Sequence, residues 1–189
     1  MKTLSTRARI VTGSAALVAV GAGAFGAVAA AAPDSGKPAQ PAAAAAKADV
    51  KTPDTFQTDH LTIDAASKAA QATLDAAKKA NQRVSVAVVD RNGNTIVTLR
   101  GDGAGPQSYD AAQKKAFTAV SWNAPTSTLV QRLQQNPTLK DIPGTLFLGG
   151  GAPVTAKGGP IAAIGVAGAP SGDQDEQFAQ AGVASLNAK

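Results

Sequence analysis

Few side chains in this 189-residue sequence could take part in bond-making or metal chemistry. Cysteine is absent, and His60 and Tyr109 are the only histidine and the only tyrosine. A Ser-His-Asp triad would have to use His60, no thiolate nucleophile is possible, and neither a metal-ligand spacing nor a nucleotide-binding loop occurs. These observations weigh against the common hydrolase, metalloenzyme and nucleotide-dependent classes.

Acidic residues are densest at residues 173–176, which read Asp-Gln-Asp-Glu. Asp173 and Glu176 could hold iron, because carboxylate oxygens are hard ligands. The same two residues stand three positions apart, which also fits a capping box at the start of a helix. The spacing favours the cap and leaves both roles open.

The first 58 residues differ in composition from the rest of the chain. Residues 1–32 combine basic residues, an apolar run of small side chains and a stretch of alanines before Pro33, which is typical of a cleaved secretory signal. The run is long enough to span a bilayer, so a membrane anchor is the alternative. Residues 33–58 are rich in alanine and proline and predict a disordered spacer. We therefore expect an exported, cell-surface-associated protein whose folded domain is residues 59–189.

The net charge also depends on the leader. The formal charge of the whole sequence is +5, with 18 basic and 13 acidic residues. Three of the basic residues lie in the leader, which leaves 15 against 13 and a charge near +2. Such a surface does not predict nucleic-acid binding.

Hydrophobic periodicity and turn residues predict the elements of the domain. Helices are expected from Ile63 with Thr62 as the cap, from Ser108 or Asp110, from Thr126 or Ser127, and from Asp173. Strands are expected at residues 84–90, 95–99, 145–148, 154–156 and 160–167, the first two joined by an Asn-Gly hairpin turn. This order predicts an α+β fold, with helices packed on a five-stranded antiparallel sheet.

Five segments in this order resemble the GlcG/HbpS family of small haem-binding proteins. They are SVAVVDRNGN (85–94), RGDGAGP (100–106), QKKAFTA (113–119), GGAPV (150–154) and GGPIAAIGVAGAPSGDQDEQFA (158–179). The resemblance covers residues 61–186. The family commonly has serine where Ala167 stands, so this chain lacks any ligand contact which that hydroxyl would make.

The resemblance implies an α/β sandwich that assembles into symmetric homo-oligomers, often octamers. Exported members are similar to haem-binding proteins of actinobacteria, some of which sense haem or redox stress beside a membrane sensor kinase. This predicts an extracytoplasmic protein that binds haem without turnover. Other relatives are fused to corrinoid enzymes or belong to glycolate-use operons. An enzyme or a small-metabolite pocket protein of the same fold is therefore the alternative function.

Haem would require an axial ligand and partners for its two propionates. His60 and Tyr109 are the candidate axial ligands, and Thr126 is a weaker oxygen candidate. Lys115 and Arg100 could pair with the propionates. Each also has a simpler structural role. His60 would be an exposed histidine, Tyr109 a core aromatic residue and Thr126 a helix cap. Lys115 and Arg100 would belong to a solvated charged face. We therefore expect weak ligation of the iron, or a ligand supplied by a second subunit.

Overall fold

The structure is a computed structural model that describes residues 49–187. Within these residues the chain forms four α-helices and four β-strands. The helices are α1 (Ile63–Lys79), α2 (Pro106–Trp122), α3 (Thr126–Gln135) and α4 (Gly172–Ser185). The strands are β1 (Ser85–Asp90), β2 (Thr95–Arg100), β3 (Gly151–Ala156) and β4 (Gly159–Ala167).

The predicted signal at residues 1–32 and most of the predicted spacer lie outside the described residues. The last ten residues of the spacer contain one 3-10 turn, Thr52–Asp54, whose side chains are exposed. Across residues 49–187, no helix is both long enough and apolar enough to cross a membrane.

The predicted hairpin of β1 and β2 is confirmed. The strands pair antiparallel, from Ser85 opposite Arg100 to Val89 opposite Thr95. Asp90 closes the turn, because its Oδ1 accepts hydrogen bonds from the backbone N–H groups of Asn92 and Asn94, each at 2.8 Å. Burial alone would raise the pKa of Asp90, but these bonds outweigh it and the pKa is lowered.

The sheet has four strands in the order β2-β1-β4-β3, all antiparallel, so the prediction of a fifth strand at residues 145–148 is wrong. The backbone N–H groups there have partners outside the sheet: Leu146 N donates to the Thr118 hydroxyl on α2 at 2.8 Å, and Leu148 N donates to the Leu146 carbonyl oxygen at 3.0 Å. The apolar run instead buries Phe147, whose ring meets that of Trp122 edge to face at 5.1 Å.

The two faces of the sheet are covered by different helices. Alternate strand residues such as Val86, Val88 and Ile164 pack with α1 and α4 in the larger apolar core. The opposite face carries small residues, among them Ala163, and packs against α2. Gly165 lies on that face, and a Cβ there would collide with backbone atoms of α2. The predicted sandwich of helices and sheet is thereby confirmed.

The N-terminal capping residues agree with the prediction for α1 but not for α4. Thr62 caps α1 as predicted, accepting a hydrogen bond from Ala65 N at 3.2 Å. The second helix begins earlier than expected, at Pro106, because proline is well suited to the first helical position. For α4 the cap is Ser171, whose hydroxyl accepts from Gln174 N at 3.2 Å. The predicted capping box of Asp173 and Glu176 is therefore wrong.

Candidate functional site

A buried ion pair joins α2 to α4 beside the end of β4. Lys115 Nζ lies 2.8 Å from Asp175 Oδ2 and donates to the Val166 carbonyl oxygen at 2.9 Å. The two residues are 4% and 3% exposed. Asp175 Oδ1 accepts a hydrogen bond from Ala169 N at 3.0 Å, so the same carboxylate also holds the segment after β4.

Desolvation dominates the electrostatics of this pair. Burial raises the pKa of Asp175, and the hydrogen bond and positive charge of Lys115 oppose that rise without cancelling it. Such a pair is stable only while both partners are present, because either charge alone would be buried without compensation.

The neighbouring carboxylate, Glu176, holds the start of α3. Its Oε1 accepts from the Ser127 hydroxyl at 2.6 Å, and its Oε2 accepts from Ser127 N at 2.9 Å. Gly150 N also points at Oε2, at 3.4 Å. A negative charge at a helix N-terminus is favourable, because the first backbone N–H groups lack partners within the helix.

A surface cavity of about 530 Å³ is lined by both residues of the ion pair, Lys115 and Asp175, and by Ser127, which Glu176 holds. One wall is the α2 face that contains Gln107, Ala111 and Lys115, and another is α3 with the segment before β3. The third wall is formed by residues 168–173. The apolar lining residues are Ala111, Val130, Leu148, Ala169 and Pro170. The polar lining residues lie at the floor, at the starts of α2 and α3, and around the start of α4: Gln107, Lys115, Ser127, Ser171, Asp173 and Asp175.

His60 lies far from this cavity. The histidine is exposed, and its Nε2 is 2.7 Å from the Thr58 hydroxyl. The adjacent Asp59 is 3.0 Å from Lys157 Nζ, in the turn between β3 and β4. The cavity lies beyond the other end of β4, a strand of nine residues that spans about 26 Å. Within one subunit, His60 cannot reach a ligand in the cavity.

Tyr109 and Arg100 also lie outside the cavity lining. Tyr109, which is 41% exposed, stands two residues from both Gln107 and Ala111 on α2. At about 100° per residue, its side chain leaves the opposite side of the helix. The Arg100 guanidinium donates twice to the Ala104 carbonyl oxygen, at 3.1 and 2.6 Å, and so closes the glycine-rich loop.

The remaining predicted site residues lie near the cavity. The Thr126 hydroxyl is buried and accepts a hydrogen bond from Gly151 N at 2.8 Å. Asp173 is exposed at the mouth of the cavity, whereas Glu176 is buried beneath α3. In the described part of the chain, no three histidine, aspartate or glutamate side chains are grouped so that they could hold a metal ion.

A family model described as "Haem degrading protein HbpS-like" matches residues 61–184. The chain belongs to the HbpS-like family. The prediction from the five sequence segments is thus confirmed.

Relatives of known structure share the fold. A double mutant of HbpS from Streptomyces reticuli is 70% identical, with a TM-score of 0.73. The match covers 75% of this chain and 97% of the HbpS chain. PduOC, in a structure of its complex with haem, is 28% identical, with a TM-score of 0.63. The match covers 68% of this chain and 96% of the PduOC chain. An uncharacterised 15.0 kDa protein of Citrobacter freundii, from the dhaT-dhaS intergenic region, is 34% identical over 125 residues, which is 64% of this chain and 87% of that protein.

Sequence reasoning missed the role of Asp175 in this member of the HbpS-like family. The residue lies between two predicted iron ligands, yet it is the one that pairs with Lys115. A helical projection of α4 would have given a signal, because Asp175 and Glu176 precede Phe178 and Ala179 on its buried side. The partner, 60 residues away, could not have been identified from spacing.

Proposed function

We propose that this chain binds haem in the cavity between α2, α3 and residues 168–173. The observation that carries the proposal is the combination of apolar walls with the Lys115 ammonium at the floor. Membership of the HbpS-like family and the haem complex of its relative PduOC support it.

The residues of the cavity suit the two chemical parts of haem. The apolar side chains of Val130, Leu148 and Pro170 would contact the porphyrin, and the volume is in the range of small-molecule sites. An ammonium has three N–H donors, and the described residues supply Lys115 with two acceptors. The third donor is available for a propionate.

The iron would have an oxygen ligand in this site. The described residues that line the cavity include no histidine, methionine, cysteine or tyrosine, which are the usual axial ligands of haem. Asp173 offers an exposed carboxylate at the mouth. Bound haem would supply the redox chemistry of its iron, and the protein would supply orientation and the charge that faces the propionates.

Titration of the purified protein with micromolar haemin tests this proposal. We expect a shifted Soret band, and we expect Ala111→Trp, which fills the cavity, to weaken binding about tenfold or more. Tyr109→Phe is the matched control on the opposite side of α2, and His60→Ala tests the distant histidine; both should bind haemin as the wild type does. Absence of a Soret shift would contradict haem binding, and a changed spectrum in His60→Ala would mean that a second subunit supplies the ligand.

The cellular role that we propose follows from the leader and from the family. The chain is exported and acts outside the cytoplasm, as a homo-oligomer, in haem capture or in sensing haem or redox stress with a membrane sensor kinase. The signal pattern of residues 1–32 supports export. Octameric assembly and the kinase partner are supported only by resemblance. Cell fractionation, and light scattering of the purified protein, would test location and assembly.

Haem degradation is a second candidate, because the description of the matching family includes it. The same titration distinguishes the two functions. A stable Soret band in the presence of a reductant and dioxygen would support binding alone, whereas steady loss of that band would support turnover. A corrinoid or a glycolate-like metabolite in the same cavity would instead compete with haemin.

A further inference from the structure

Glu176 links α4 to the start of α3 and to the residue before β3 through one carboxylate. It lies on α4 and is the only glutamate in the sequence. Its oxygens accept from the backbone and hydroxyl of Ser127 on α3, and from Gly150 N at the start of β3. Ser127, and Gly149 next to Gly150, line the cavity.

The segment that Glu176 holds, residues 124–149, is here called the α3 wall. It contributes Ser127, Val130, Leu148 and Gly149 to the lining, and thus covers one side of the cavity. Both of its ends adjoin a residue with left-handed backbone: Asn123 has φ 47° before it and Gly150 has φ 127° after it.

The α3 wall has other attachments as well. Thr126 and Leu129, both in the first turn of α3, are fully buried, and Phe147 is anchored against Trp122. Leu146 N donates to Thr118 at 2.8 Å, at the far end of the wall. The Thr126 hydroxyl accepts from Gly151 N and lies 3.5 Å from Glu176 Oε2, so Glu176 contacts both Thr126 and Ser127 at the start of α3. Release of Glu176 would free the Ser127 side of this turn, while Leu129 stays packed in the core.

We propose that Glu176 is a positioning residue that latches the α3 wall over the cavity, and that release of this latch controls ligand access and exit. The inference rests on the proposed haem site only for the identity of the ligand. The two hydrogen bonds from Ser127 on α3 and the longer one from Gly150 end on one charged, buried group. Hydrogen bonds to a charged group are the stronger kind, so their loss leaves the start of the helix free to open.

Amide hydrogen exchange of the full chain without ligand tests the latch directly. In Glu176→Gln the negative charge is lost and an NH₂ group faces the N–H donors of α3. We expect exchange in the first turns of α3 and at residues 146–150 to become about tenfold faster, while α1 and the sheet stay unchanged. Asp173→Asn, the same carboxylate-to-amide change three residues earlier on α4, should leave the α3 wall unchanged.

The association and dissociation rate constants of haemin distinguish two explanations for an effect of Glu176→Gln: a gate that opens more often, and the loss of a contact with the ligand. A gate that opens more often raises the association and dissociation rate constants together, by about the same factor as the exchange. Loss of a contact with the ligand would raise only the dissociation rate constant. If Glu176→Gln fails to fold, Glu176→Asp keeps the charge but is shorter by about 1.5 Å, and should show the same pattern at smaller amplitude.

Unchanged exchange in the α3 wall of a folded Glu176→Gln would overturn the latch, as would faster exchange throughout the domain. If the wall loosens but only the dissociation rate constant of haemin rises, control of access is overturned. If the wild type binds no haemin, the proposed function fails, and the exchange result still decides whether Glu176 holds the α3 wall.

Discussion

Lys115→Met is expected to lower the free energy of unfolding by about 3–5 kcal/mol at neutral pH. The substitution leaves the Asp175 carboxylate buried without its countercharge, and it removes the donor to the Val166 carbonyl oxygen. A domain of this size has a total stability of about 5–15 kcal/mol, so the loss would be plain in a urea unfolding curve.

The double variant Lys115→Met with Asp175→Asn serves as the control. A neutral amide retains an acceptor for Ala169 N and no longer needs a countercharge, so more than half of the loss should be recovered. If the single and double variants have the same unfolding midpoint, the buried Asp175 carboxylate is not what destabilises Lys115→Met.

The effect of Lys115→Met should also depend on pH. Burial raises the pKa of Asp175 even with Lys115 present. A carboxyl whose folded pKa is raised favours folding most when it is protonated, and this contribution is lost as the pH rises through the folded pKa. Without Lys115 the pKa of Asp175 should rise further. The difference in free energy of unfolding between wild type and Lys115→Met should therefore become smaller as the pH falls toward 4.

Gly165→Ala is the second substitution with a large expected effect, a loss of about 3 kcal/mol. A Cβ at this position of β4 would collide with the Ala112 carbonyl oxygen and would approach Ala116 N to 2.6 Å. Backbone atoms cannot rotate away as a side chain can, so α2 would have to move off the sheet. The cavity wall that contains Ala111 and Lys115 would move with it.

Gly159→Ala is the matched control at the other end of β4. The nearest atom to a Cβ there is the Ala156 carbonyl oxygen at 3.8 Å, an ordinary contact. Its unfolding midpoint should stay close to that of wild type. A similar midpoint for Gly165→Ala would contradict the direct packing of α2 on the strand.

Local signals in the sequence predicted most of the fold. The Asn-Gly turn and the β-branched run before it predicted the first hairpin, because turn chemistry and alternation depend on neighbouring residues. Thr62 was identified as a cap for the same reason. The run at residues 145–148 misled, because a short apolar segment can bury its side chains, as Phe147 does, without a strand partner.

The site depends on contacts between distant residues, and so it was predicted less well. Lys115 was identified as a binding residue, but its pairing with Asp175 joins two helices across 60 positions. Glu176 was assigned to the cap of its own helix, whereas it caps α3, 49 positions earlier in the chain. Spacing along a sequence contains no information about which two helix ends meet in space.

The position of the iron in the haemin-bound protein tests the proposed haem site most directly. Anomalous diffraction at the iron edge, from crystals of the haemin-loaded protein, would locate it without reference to any variant. We expect the iron peak in the cavity between α3 and residues 168–173, near Asp173, with a propionate directed toward Lys115. A peak beside His60, or elsewhere away from the cavity, would contradict the proposed site.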